Sequence, residues 1–145
     1  MSAPAARSLR ALWAAVTLGG LSALTVLTVL AVSAETHPMA DRADAAFYVC
    51  ALYSAAAMVA AFALLARMRT RVAAAPSEAA ALATARTHGV AAMAAAESSA
   101  ILAGLVVFLT GNVLAAAYAV PFVAFAAIMW PTEARVAGWL AARRD

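Results

Sequence analysis

Residues 90–110 read VAAMAAAESSAILAGLVVFLT, with Glu97 the one ionisable side chain among them. As an α-helix this stretch would be about 31 Å long, enough to cross a hydrocarbon layer of ~30 Å. Inside lipid every backbone polar group has to be satisfied within the protein, so a crossing of this kind must be helical. Asp, Lys and Arg at the centre of such a helix cost roughly 2.5–3.5 kcal/mol on insertion scales, and Glu belongs to the same class. An ionisable group held at that depth marks a functional site by default.

Three more apolar stretches flank this one, at residues 11–33, 45–66 and 113–130. The chain of 145 residues is 67% hydrophobic and 12% charged, with a mean hydropathy of +0.91. Soluble domains carry about twice that share of charge. The expected fold is therefore an all-α membrane protein of one domain, residues 1–145. It is a four-transmembrane-helix bundle with a loop at 67–89 and a short interfacial C-terminal helix in the tail, residues 131–145. The first stretch has a second reading: Arg7 and Arg10, an apolar run, then Val32, Ser33 and Ala34 resemble a cleaved signal peptide. The run is longer than the usual signal core of about 7–15 residues, which favours a retained helix.

Arginine sets the expected orientation. Arg7, Arg10, Arg67, Arg69, Arg71, Arg86, Arg135, Arg143 and Arg144 fall on one side of a four-crossing chain. Glu35, Asp41, Asp44 and the single Arg42 fall on the other. The excess of basic residues places both termini and the loop at 67–89 in the cytoplasm of a cell with an inner (cytoplasmic) membrane. Trp13, Trp130 and Trp139 lie at that interface, Phe47 and Tyr48 at the opposite one, as aromatic belts would. The arginines flank apolar segments rather than forming a stripe, so the net charge of +3 reads as topology and not as a nucleic-acid surface.

Local punctuation refines the segments. Pro76, Ser77 and Glu78 are a helix start, leading into residues 78–86, with Gly89 a candidate break before the third stretch. Thr110, Gly111 and Asn112 make a tight turn that pairs the third and fourth stretches as an antiparallel hairpin. Pro121 should kink the fourth. Val136, Trp139 and Leu140 share one face of the tail, with Arg135, Arg143 and Arg144 available to headgroups.

Counting inward about seven residues from the cytoplasmic end sets the level of Glu97. Leu18, Gly19 and Gly20 fall there on the first helix, Met58, Val59 and Ala60 on the second, Phe122 and Val123 on the fourth. Thr17, Ser22 and Ser54 bring hydroxyls near that level, and Ser98 and Ser99 follow the carboxylate directly. Glu97, Ser98 and Ser99 are thus the candidate ion-binding residues, and Gly19, Gly20 and Gly104 the candidate packing residues, since small side chains let helices approach in lipid. With no opposite charge at that depth, the neutral acid is the expected form.

The run AAESSAI at 95–101, followed by GLVV at 104–107, resembles the carboxylate-bearing helix of the rotary ATP synthase c subunit. The resemblance implies that Glu97 binds an ion, with Ser98 or Ser99 as polar support. It spans about a dozen of the 145 residues, and the second stretch lacks the repeated glycines of that family's packing helix, so no ring is implied.

The remaining features have plainer readings. Cys50, the one cysteine, reads as a small core residue. His37 and His88 lie at opposite membrane faces and cannot share one haem. No metal or cofactor is expected, nor is enzyme activity, since no Walker sequence, HExxH, GxSxG or paired intramembrane carboxylates occur. The leading expectation is an integral membrane subunit whose carboxylate binds a proton or sodium within a larger transport or energy-coupling complex. It would contact membrane lipid and assemble as a homo-oligomer or with other subunits. The alternatives are an assembly protein with Glu97 as interhelical hydrogen-bond glue, and a small proton-coupled exporter.

The orientation is directly testable. In a Cys50→Ser background, cysteines placed within 67–88 are expected to be shielded from an impermeant thiol reagent outside the cell, and one beside Asp41 to react. Labelling of the 67–88 segment from outside would reverse the topology.

Overall fold

A computed structural model describes residues 3–141, with side chains from residue 7 onward. It contains α1 (Ala3–Ser33), α2 (Ala43–Ala73), α3 (Glu78–Thr110), α4 (Val120–Met129) and α5 (Glu133–Ala141). Two 3-10 segments, Ala40–Arg42 and Val113–Ala119, precede α2 and α4. No strand occurs among the described residues. Three stretches, Arg7–Ser33, Ala40–Ala73 and Glu78–Thr110, are long and apolar enough to cross a membrane, as expected of a multi-pass all-α membrane protein. Residues 113–129 reach that standard only together with α5, from which they are bent by 72°.

The loop expected at 67–89 shrinks to four residues, 74–77. Ala-rich sequence on both sides carries each helix on past its apolar stretch. Ser77 then caps α3, its Oγ accepting from the Ala80 amide at 3.2 Å, with Glu78 in the first turn. Nor does Gly89 break α3. It is a buried notch: a Cβ there would stand 3.3 Å from Cζ2 of Trp13. The same contact explains a second departure from expectation, since Trp13 does not belong to an interfacial belt but is fully buried. Trp130 and Trp139 are half-buried. At the other end Phe47 packs against Tyr118 with tilted rings, centroids 5.0 Å apart, while Tyr48 is exposed.

α3 is the axis of the structure. α1 and α2 each pack along it, and the 3-10 segment and α4 close a third side. α1 and α2 are consecutive in the chain yet scarcely touch. α2 offers a stripe at spacings of three and four, Cys50, Ser54, Ala57, Ala61, Leu65, Met68 and Val72. α3 answers with mostly small residues, from Ala81 and Ala85 through Ala92 and Ala96 to Ala100 and Ala103. α1 runs parallel to α3: Trp13 meets Gly89, Gly20 meets Glu97, and Leu24 and Leu27 meet Gly104. Contacts that recur about every seven residues keep one seam of each helix facing the other, as in a coiled coil.

α3 ends at Gly111, the one described residue with positive φ (73°), whose amide bonds the Val107 carbonyl at 2.8 Å. Asn112 caps the next segment, its Oδ1 accepting from the Leu114 amide at 3.1 Å. The chain then winds as a 3-10 helix for seven residues before turning α-helical at Val120. Pro121 therefore stands in the first turn of α4 rather than kinking a continuous helix. In a continuous α-helix its ring would clash with the carbonyl four residues back; at a helix start its missing N–H is no loss.

Arg10 on α1 bonds Glu133 of α5 at 2.9 Å, which places the start of α1 and the end of α4 at one end of the molecule. Arg135 Nη1 donates to the Trp130 carbonyl at 2.7 Å and supports the bend. Arg143 and Arg144, expected to face headgroups, lie outside the described residues.

Gly104 tests the parallel seam, because a Cβ there would come within 3.1 Å of the Leu24 backbone. Gly104→Leu should lower the melting temperature in detergent by several degrees, in line with overpacking costs of about 1–3 kcal/mol. Ala63→Leu, on an exposed face of α2, should leave it nearly unchanged.

Candidate functional site

The register of α3 buries Met93, Ala96 and Ala100 completely and leaves Glu97 half-buried on the flank toward α1. Its carboxyl lies over the Gly19–Gly20 step. A Cβ on Gly19 would stand 3.0 Å from Oε1, and one on Gly20 would stand 2.6 Å from Cγ and 3.2 Å from Oε1. Phe122 of α4 bounds the same spot, 3.3 Å from the Gly20 position. Only glycine leaves room at position 20, while at position 19 only the carboxyl end would have to give, so the pair is the seat of the carboxylate as well as a point of helix approach.

Of the residues counted to this level, the structure brings Gly19, Gly20 and Phe122 to Glu97. Leu18, Val59 and Val123 face outward. Arg67 and Arg86 are exposed, and neither forms a salt bridge with Glu97.

Ser98 and Ser99 are not turned to the carboxylate as donors. Ser98 Oγ donates to the Ala95 carbonyl and Ser99 Oγ to the Ala96 carbonyl, each at 2.7 Å. These local bonds satisfy hydroxyls inside an apolar helix. A hard cation takes several oxygen ligands at once. Among the described residues no hydroxyl hydrogen-bonds Glu97, a set that suits a proton better than sodium. No group of three or more His, Cys, Asp or Glu able to hold a metal occurs among the described residues.

Both histidines have structural contacts. His37 Nδ1 donates to the Phe108 carbonyl at 3.1 Å and, with the Met39 amide bonded to the Leu109 carbonyl at 2.8 Å, fastens the outer loop to the end of α3. His88 Nδ1 donates to the Thr84 carbonyl at 3.1 Å, leaving Nε2 to accept from Arg71 at 3.2 Å. Cys50 is fully buried.

Comparison with known families, with characterised proteins and with solved structures finds no significant match.

Sequence reasoning read Trp13 as an interfacial anchor and Thr17 only as a hydroxyl near the level of Glu97. Trp13 Nε1 and Thr17 Oγ1 are buried with no hydrogen-bond partner, as is Ser54 Oγ on α2. The signal was present: Leu9, Trp13, Thr17, Gly20 and Leu24 follow one another at three-to-four spacing and mark one face of α1.

The contact between Gly20 and Glu97 should appear as energetic coupling. Gly20→Ala alone should destabilise the protein in detergent by about 1–3 kcal/mol. In a Glu97→Ala background, which removes Cγ and the carboxyl, the same change should cost much less. Additive losses in a thermal double-mutant cycle would show that the two residues do not touch.

Proposed function

We propose that this chain is a multi-pass subunit of a cell inner membrane in which Glu97 takes up and releases a proton within a larger transport or energy-coupling complex. The observation that carries this is a single carboxyl group, with no salt bridge to a basic side chain among the described residues, seated on two glycines inside the most buried helix. An acid so placed is neutral at rest and ionises only when charge or water is brought to it. The resemblance of residues 95–107 to the ATP synthase c subunit helix supports the same assignment.

In this reading residues 113–129 make the fourth crossing. Seven 3-10 residues at about 2.0 Å and ten α-helical ones at about 1.5 Å give about 29 Å, close to the hydrocarbon thickness. α5 lies in the cytoplasmic interface, and both termini face the cytoplasm. Three crossings around a central α3 leave little room for an alternating-access cavity, which favours a subunit over a solitary exporter.

The tight seat also favours a second reading, in which Glu97 is a packing element that locks α1 to α3 in an assembly protein. Dicyclohexylcarbodiimide separates the two, since it reacts with protonated carboxyls in apolar surroundings. It should modify Glu97 selectively, more slowly as pH rises, with little effect of sodium. Glu97→Gln keeps shape and should preserve assembly while abolishing any proton-linked activity. If labelling is independent of pH and Glu97→Gln leaves cellular function intact, Glu97 is a packing element.

A further inference from the structure

Where α2 begins and α3 ends, the two helices part over an open groove of about 280 Å³. Ala45, Ala46 and Val49 form its α2 wall, and Leu102, Leu105 and Leu109 its α3 wall. The two alanines are what make the space, since larger side chains there would reach across to the leucines. Val49 and Leu105 are exposed, so the groove opens sideways, toward the bilayer rather than into the bundle.

Its depth matches one leaflet. The apolar stretch of α2 starts at residue 45 and that of α3 ends at residue 110. Arg42, at the top of the groove, is three residues outside that boundary, about 4.5 Å at 1.5 Å per residue. A headgroup layer is roughly 5–8 Å thick. Leu102 is eight residues inside, about 12 Å, against about 15 Å for half the hydrocarbon core. The groove thus runs from headgroup level through most of the chain region of a single leaflet.

Its polarity is confined to the top. Thr110 also lines it, but donates its hydroxyl to the Val106 carbonyl. Arg42 is the only arginine at this end, against Glu35, Asp41 and Asp44. Arg42 Nε stands 3.8 Å from Asp41 Oδ2, with both side chains exposed, a pair that contributes little by itself. The groove is therefore apolar along its length and carries one cation and one anion side by side at its mouth.

We propose that this groove holds one phospholipid whose headgroup carries a primary ammonium, of the phosphatidylethanolamine type. The phosphate sits on the Arg42 guanidinium, the ammonium beside Asp41, and one acyl chain lies between the α2 alanines and the α3 leucines. The planar guanidinium fork matches phosphate oxygens. The acidic excess at this end repels a headgroup of net negative charge. A choline headgroup has no N–H to give the carboxylate, whereas an ammonium has three. The proposal takes α2 and α3 as membrane-spanning and is independent of the role of Glu97.

Native mass spectrometry of the purified full-length protein tests this, with phosphatidylethanolamine, phosphatidylcholine and phosphatidylglycerol of identical chains titrated in detergent. Phosphatidylethanolamine should be retained at one copy per chain, about tenfold more tightly than either of the others. Arg42→Gln should weaken it about tenfold or more through loss of charge-assisted hydrogen bonds. Asp41→Asn should remove most of the preference over phosphatidylcholine. Ala45→Leu fills the groove from an exposed position without changing any charge, and should weaken all three lipids. Ala63→Leu, the same change on an exposed face of the same helix, should leave retention within about twofold. Equal retention of the three lipids, tightest retention of phosphatidylglycerol, or an Ala45→Leu as silent as Ala63→Leu overturns the proposal. So does displacement of the lipid by an equal concentration of soluble phosphoethanolamine, which would show a headgroup site with no place for a chain.

Discussion

Close backbone approach along the α1–α3 seam is the constraint on which the rest depends. In lipid no hydrophobic force draws helices together, because tails are as apolar as leucine. What remains is van der Waals contact, which falls off steeply with distance. Gly20, Gly89 and Gly104 set the spacing at three heights, and each receives a different partner: a carboxyl stem, an indole and a leucine backbone. The seam is thus held by shape, and the single charge-capable group is one of the shapes.

That arrangement ties the site to the fold. An ionisable side chain on a lipid-facing flank would reach outward to an interface. Glu97 instead lies back over glycines, with Phe122 beyond, and stays half-buried. The polar residues next to it in sequence, Ser98 and Ser99, are spent on their own helix. Those nearest along the opposite face, Trp13 and Thr17, have no partner. Polarity in this molecule is therefore arranged between helices rather than along one.

Much of the fold was legible because membrane solvation leaves few options. Apolar stretches of the right length must be helices, and the turn at Gly111 and the start at Ser77 follow from local chemistry. The level of Gly19, Gly20 and Phe122 relative to Glu97 came from counting residues at a fixed rise. The errors came from rules of location. Tryptophan near a membrane face reads as an interfacial anchor, yet Trp13 is buried because a glycine on another helix, 76 residues away, makes room for it. Gly89 reads as a break for the same reason in reverse. Both are pair properties, invisible to a scan of either residue alone. The serines were misjudged because sequence proximity says nothing about where a hydroxyl points.

The separation of α1 from α2 bears on how the protein is made. Most multi-pass chains can pair their first two helices as a hairpin while ribosome and translocon are still at work. Here the two leave synthesis in order but have almost no mutual surface. Each finds its main packing surface on α3, so neither is packed until α3 has been made. The third helix, which also carries the only carboxylate inside the apolar stretches read from the sequence, is thus the keystone of biogenesis. A nascent chain halted before it is two unattached helices, exposed to membrane quality control.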